Sequence, residues 1–133
     1  MSRTIEAEAK KYLIEQFNNK RYKFEDRKDG DKLGFDLWLV DREKKNPIEI
    51  ELKATKREYN RKSDIFQDLY FSAKNEVDNF KKRNTKIVRI FLGNTPPKIF
   101  LLSKSILKAG AKFKKEYRAK IVGEKNYNDI KEF

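Results

Sequence analysis

The sequence predicts a mixed α/β (α+β) fold, in which helices flank a central mixed β-sheet in the order αβββ(β)αββαβ. Three observations predict it: apolar residues recur at helical spacing near the N-terminus, later segments alternate or run apolar as strands do, and turn residues separate them. The 133 residues are expected to form a single domain over residues 1–123, followed by a loose tail over residues 124–133.

The individual elements follow from the hydropathy pattern in chain order. Helices are predicted where apolar residues recur every three or four positions, and strands where they alternate or run continuously. The predicted helices are 4–17, 73–83 and 105–110. The predicted strands are 21–27, 33–41, 48–55, 68–71, 86–92, 98–103 and 116–122, with a hairpin turn at Asp29-Gly30 and a charged loop over 56–64.

The composition narrows the chemistry that the chain can perform. Lys and Arg number 33 against 21 Asp and Glu, a formal net charge of +12, and the chain has no Cys and no His. This excess favours polyanionic partners, nucleic acid first and an anionic membrane second, while solubility alone is the alternative explanation. Thiolate chemistry, a His base and Cys/His zinc sites are excluded, which leaves carboxylates, lysines, hydroxyls and oxygen-bound metals.

The segment IEIELKAT, residues 48–55, places charges on one face of a predicted strand. Glu49, Glu51 and Lys53 share that face at intervals of about 6.6 Å. A short turn precedes this strand, so its antiparallel neighbour should bring Asp36 close to Glu51 and Lys53. Carboxylates on neighbouring strands can share a divalent cation, and a lysine beside them can stabilise charge that develops on phosphorus.

The motif GFD, followed fifteen residues later by ELK, resembles the signature of the PD-(D/E)XK nuclease superfamily. The resemblance implies a restriction-endonuclease-like core in which Asp36 and Glu51 bind Mg²⁺ or Mn²⁺ and Lys53 assists catalysis. Glu6 matches the metal-binding Glu that members often carry on the preceding helix, whereas Phe35 stands where the motif has Pro. The nearest branches by resemblance are the archaeal Holliday-junction resolvases and the C-terminal domain family of the plant NO VEIN protein.

The same residues also have purely structural interpretations. An E-x-K strand can be a solvated face with charge compensation, Asp36 a strand-start residue that bonds backbone, and Glu6 a first-turn acid favoured by the helix dipole. Glu49 and Glu76 are candidate electrostatic neighbours of the site, and Glu76 is alternatively an ordinary helix-start residue.

Basic residues directly follow the ELK strand, namely Lys56, Arg57, Arg61 and Lys62. They are predicted to contact phosphates that flank a cleavage site, which gives affinity with little sequence information. Residues 112–120 form a second basic stretch, with a solvated face as its alternative. Base stacking by Tyr59 is conceivable, although no sequence feature supports it.

Together these features predict a Mg²⁺- or Mn²⁺-dependent DNA endonuclease, acting on branched or otherwise structured DNA. We expect a cytoplasmic protein without a membrane segment, and a homodimer is one assembly that this function allows. Two alternatives on the same fold stay open. One is a non-catalytic nucleic-acid-binding module, and the other is a protein-interaction subunit that uses the strand 116–122 as a pairing edge.

Overall fold

The computed structural model describes residues 3–27, 35–67, 69–71, 80, 83–103, 112–113, 119–120 and 130–133. Within these residues the chain forms one α-helix, a curled six-stranded mixed sheet and a second sheet of three short strands, so the predicted mixed α+β class is confirmed. The elements are α1 (Arg3–Glu15), β1 (Tyr22–Asp26), β2 (Leu37–Asp41), β3 (Ile48–Thr55), a 3-10 helix (Lys62–Phe66), β4 (Tyr70–Phe71), β5 (Thr85–Phe91), β6 (Lys98–Leu102), β7 (Lys112–Phe113), β8 (Ala119–Lys120) and β9 (Ile130–Glu132).

The large sheet has the strand order β1-β2-β3-β5-β6-β9. All neighbours in it are antiparallel except β3 and β5, which run parallel. The first three strands therefore form the predicted meander, and a crossover between residues 55 and 85 returns the chain to the far side of β3. This places β3 in the middle of the sheet, with a hydrogen-bonded strand on each side.

One face of the sheet packs against α1, and we call it the helix face. Ala9 and Leu13 of α1 share a buried apolar cluster with Ile50 and Leu52 of β3 and Val88 of β5. The predicted apolar stripe of the first helix is thus confirmed. Alternation along the strands turns the neighbouring side chains of β3 and β5 to the other face.

The other face, which we call the charged face, carries a second buried cluster together with charged side chains. The 3-10 helix contributes Ile65 and Phe66, and Leu69 and Phe80 also pack against this face. Their partners on the sheet are Ile87, Phe91, Phe100 and Leu102. Other parts of the chain cover both faces of β3. The polar side chains that β3 places on the charged face are therefore enclosed.

The curl of the sheet brings its two edge strands, β1 and β9, together. The ring of Phe133 lies 5.1 Å from that of Tyr22, centroid to centroid, and Lys131 Nζ lies 3.2 Å from the Tyr22 hydroxyl. β9 pairs with β6, and Phe133 N–H donates to the Ile99 carbonyl. The predicted loose tail over 124–133 is therefore wrong for residues 130–133, because Ile130 and Phe133 pack against the two clusters.

A second correction concerns the strand predicted over 116–122. Its described part, β8, lies between β4 and β7 and pairs with both. A strand with a neighbour on each side has no open row of backbone groups, so the prediction that it offers a pairing edge is wrong for residues 119–120.

Two further differences concern short elements: the charged loop predicted over 56–64 ends in the 3-10 helix Lys62–Phe66, and the strand β7 was not predicted. The remaining predicted elements agree with the structure to within a few residues or lie beyond its described residues. The strand predicted over 33–41 begins at Leu37, because residues 35 and 36 form a bend. The Asp29-Gly30 turn, the helix 105–110 and most of the helix 73–83 lie outside the described residues. Within the described part of the chain, no helix is long and apolar enough to cross a membrane.

Candidate active site

The centre of the site is a pair of charged residues on β3. Alternation sends Ile50 and Leu52 to the helix face and Glu51 and Lys53 to the charged face. Lys53 Nζ lies 3.6 Å from Glu51 Oε1, and the two residues retain only 6% and 9% of their exposure. Desolvation of a buried ion pair can exceed its Coulombic gain, so stability does not by itself account for this pair.

Asp36 lies at the bend that leads into β2, beside the middle of β3. Its N–H donates to the Ile50 carbonyl at 2.8 Å, and its Oδ2 accepts a hydrogen bond from the Leu52 N–H at 2.6 Å. The β2–β3 register, in which Leu37 is opposite Ile50, extends to place residue 36 next to residue 51. The carboxyl group therefore lies against the backbone that carries Glu51, and its bond to Leu52 also matches the structural interpretation of Asp36.

Glu49, which is also on β3, forms an ion pair with Arg83, which lies just before β5. Its two carboxylate oxygens accept hydrogen bonds from Arg83 Nε and Nη2 at 2.8 and 2.7 Å, and Thr85 Oγ1 donates to Oε1 at 3.0 Å. The hydrogen bond to Glu49 raises the pKa of the Arg83 guanidinium. Charge near Glu51 is thus compensated by an arginine that also lies 5.7 Å from the Phe35 ring.

Glu6 and Glu76 are the other two acids that the sequence predicts at or near the site. Glu6 is half-buried in the first turn of α1, which packs on the helix face, whereas Glu51 points to the charged face. In the described ranges, no three acidic side chains lie close enough to hold one metal ion, so Glu6, Asp36 and Glu51 do not meet as a trio. Glu76 lies outside the described residues.

Arg89 is a member of the site that was not predicted from the sequence. It is aligned with Lys53 in the parallel β3–β5 register, on the charged face, and is only 3% exposed. Its Nη2 donates to the Gln67 carbonyl at 2.8 Å, and its guanidinium carbon lies 5.0 Å from the Phe91 ring. The sequence signal is a single charge in the apolar run IVRIFL, residues 87–92. Asp36 gives the same kind of signal, since it is the only charged residue in LGFDLWLV, residues 33–40.

The predicted phosphate-binding residues lie just beyond β3. Lys56, Arg57, Arg61 and Lys62 are all exposed. Lys56 Nζ is 3.7 Å from Glu8 Oε2, and both side chains are more than half exposed, so water and salt screen this ion pair strongly. The basic residues therefore present their charge at the surface next to the strand that carries Lys53.

The chain matches no protein-family model, no curated protein and no solved structure. Support for a function therefore comes from the chemistry of the residues around β3 and from the resemblance of their motif.

Proposed function

We propose that this chain is a Mg²⁺- or Mn²⁺-dependent endonuclease that hydrolyses DNA phosphodiester bonds, on a restriction-endonuclease-like core of the PD-(D/E)XK type. The observation that carries the proposal is the position of Asp36 beside Glu51, with Lys53 3.6 Å from the Glu51 carboxylate. An antiparallel meander followed by a parallel crossover strand supports the proposed core. The proposal includes the intracellular location that the sequence analysis predicts, and it is compatible with a homodimer.

The donor set suits a hard divalent cation. Mg²⁺ typically binds one or two protein carboxylates and fills its other positions with water and phosphate oxygens, and Asp36 and Glu51 can supply those carboxylates. A carboxylate has about four lone-pair positions, so the bond from Leu52 N–H to Asp36 leaves acceptor capacity for a cation. When bound, such a cation polarises a phosphoryl oxygen and activates water.

The other charged residues of the site stabilise or neutralise charge, or hold a neighbouring group in position. The ammonium of Lys53 is enclosed, where low dielectric strengthens its attraction for the charge that develops on a phosphate in the transition state. Glu51, two residues earlier on the same face, orients that ammonium. Arg83 occupies both oxygens of Glu49 and so limits the negative charge that a DNA phosphate meets on approach.

A non-catalytic nucleic-acid-binding module is the second candidate. It is favoured by the hydrogen bond between Asp36 and the Leu52 N–H, which gives Asp36 a structural role without a metal. The net charge of +12 supports binding to DNA equally in both cases. The two candidates differ in their response to divalent cations, because only the nuclease requires one.

Cleavage of plasmid, single-stranded and four-way-junction DNA with Mg²⁺ tests the proposal. We expect the wild type to cut at least one of these substrates and Asp36→Asn and Lys53→Ala to lose activity. Asp26→Asn, which alters an exposed acid at the end of β1, and Lys44→Ala, in the β2–β3 turn, are matched controls that should cut normally. Equal activity in wild type, Asp36→Asn and Lys53→Ala would exclude this site, and metal-independent binding without cleavage would favour the module.

A further inference from the structure

The segment after β3, residues 56–62, which we call the basic loop, is held in one shape by the turn between β5 and β6. Leu92 N–H donates to the Thr55 carbonyl at 2.8 Å, and Gly93 N–H donates to the Arg57 carbonyl at 3.1 Å. A Cβ at Gly93 would come within 2.6 Å of backbone atoms of Lys56 and Arg57. Only glycine therefore permits this close approach of the turn to the loop.

Asn94 adds a side-chain brace to the centre of the loop. Its Oδ1 accepts a hydrogen bond from the Tyr59 N–H at 2.7 Å, and its Nδ2 donates to the Tyr59 carbonyl at 3.2 Å. One amide side chain thus satisfies both backbone groups of a loop residue, as a neighbouring strand would.

Asp64 fixes the end of the basic loop. Its Oδ2 accepts hydrogen bonds from the Asn60 and Arg61 N–H groups at 2.8 and 3.0 Å. These bonds, that from Asn60 first, hold the pKa of the Asp64 carboxyl below its ordinary value. Asp64 is therefore a structural acceptor, although its negative charge opposes the binding of an anion to the loop.

Tyr59 anchors the loop to the core beneath it. Its ring lies 4.7 Å from Phe100 and 5.5 Å from Phe91, centroid to centroid, and it packs against the buried cluster of the charged face. A ring held there is not available to stack on a base, so the conceivable stacking role of Tyr59 is disfavoured. The charged groups that the loop presents to solvent are the cations of Lys56, Arg57, Arg61 and Lys62 and a single carboxylate, that of Glu58.

We infer that the basic loop is a pre-shaped arm that binds the phosphate backbone of duplex DNA, and that Gly93, Asn94 and Asp64 are positioning residues for this binding. The inference rests on the proposed function, since it assigns the DNA contact beside the same site. A loop whose backbone is already ordered loses less conformational entropy when it binds, so braces that carry no positive charge contribute to affinity. Binding through phosphates and not bases is largely independent of sequence.

The test is fluorescence anisotropy with a short labelled duplex, without divalent cations, from about 50 to about 200 mM salt. Lys56→Gln with Arg57→Gln should reduce the slope of log affinity against log salt by about 1.8, the value for two lost phosphate contacts. Lys44→Gln with Lys45→Gln removes the same charge at the other end of β3 and should leave the slope unchanged. If the magnitude of the slope falls equally for both pairs of substitutions, the assignment of phosphate binding to the basic loop is overturned.

Substitutions of Asn94 and Asp64 distinguish a loop whose ordered shape contributes to DNA binding from a loop that binds DNA by its positive charge alone. Asn94→Ala changes no charge and should weaken binding about three- to tenfold. Asp64→Ala removes a negative charge, so electrostatics alone predicts tighter binding, whereas loss of the brace predicts weaker binding. Weaker binding by Asp64→Ala supports the inference, and unchanged or tighter binding overturns it.

Neither brace residue belongs to the two apolar clusters, so both variants should stay folded, which thermal melting checks. If Asn94→Ala does not fold, the Asp64→Ala result decides.

Cleavage is measured separately with Mg²⁺. A protein that binds through its braced loop but does not cut removes the nuclease proposal and leaves this inference standing, whereas a wild type that does not bind the duplex overturns the inference.

Discussion

The two faces of β3 are buried to nearly the same extent but carry opposite chemistry. Ile50 and Leu52 retain 0% and 2% of their exposure on the helix face, and Glu51 and Lys53 retain 9% and 6% on the charged face. A buried Leu side chain stabilises a fold by about 1.5–3 kcal/mol. Buried ion pairs are often replaced by apolar residues without loss of stability. On β3 the side chains of the helix face therefore stabilise the fold, whereas the ion pair on the charged face requires a reason other than stability. Under the proposed function that reason is catalysis.

The helix face provides the largest expected effect on stability. Leu52→Ala should lower the free energy of unfolding by about 2–5 kcal/mol, because it leaves a cavity between β3 and α1. Urea denaturation measures the change. A loss below about 1 kcal/mol would mean that this face is not the tightly packed core described above.

Lys53→Met on the charged face should reduce activity and leave stability nearly unchanged, unlike Leu52→Ala. We expect cleavage to fall by about 10²- to 10³-fold, because a stabiliser of transition-state charge is removed, with little loss of melting temperature. Single-turnover cleavage and thermal melting of the same sample measure both. A variant that unfolds like Leu52→Ala, or one that cuts like the wild type, would remove the distinction between the faces.

Arg83→Met tests how charge is distributed on the charged face. Arg83 is partly exposed, so loss of its pair with Glu49 should lower the free energy of unfolding by on the order of 1 kcal/mol. Release of the Glu49 carboxylate near Glu51 should also tighten Mn²⁺ binding, which isothermal titration measures. Lys45→Met, exposed in the β2–β3 turn, is the control. Unchanged or weaker Mn²⁺ binding by Arg83→Met would contradict a contribution of the Glu49 carboxylate to metal binding.

A smaller effect is expected at Asp41, a buried acid whose role is structural. Arg21 donates to both of its oxygens at 2.9 Å, and this hydrogen bonding lowers the pKa of the Asp41 carboxyl. The folded pKa lies below the unfolded value of about 3.9, so the stabilisation is present above that pH and disappears as pH falls through the folded pKa. Asp41→Asn should therefore melt below the wild type at neutral pH and converge with it in acid. Parallel melting curves at all pH values would contradict this role.

The sequence predicted those parts of the site that depend on short-range pattern. Alternation over residues 48–55 separates the two faces of β3, and the short turn before it brings Asp36 to the middle of that strand. The other features of the site cannot be predicted from local sequence pattern. Helical periodicity predicts that α1 packs through an apolar stripe, but it does not say which face of the sheet the helix will cover or where Glu6 will lie relative to Asp36 and Glu51.

Contacts between distant parts of the chain were the ones that sequence could not predict. Asn94 braces Tyr59 across 35 positions, and β9 joins the sheet through two apolar residues in a charged segment, so neither leaves a periodic signal. Arg89 left a signal, a charge inside an apolar strand, but its alignment with Lys53 depends on the β3–β5 register.

The position of bound Mn²⁺ tests the central claim most directly. In crystals soaked with Mn²⁺, we predict an anomalous-scattering peak coordinated by carboxylate oxygens of both Asp36 and Glu51, on the side of β3 that faces Lys53. Crystals with full Mn²⁺ occupancy elsewhere and no peak between these two residues, with Asp36 still bonded only to the Leu52 N–H, would contradict a metal-dependent nuclease at this site.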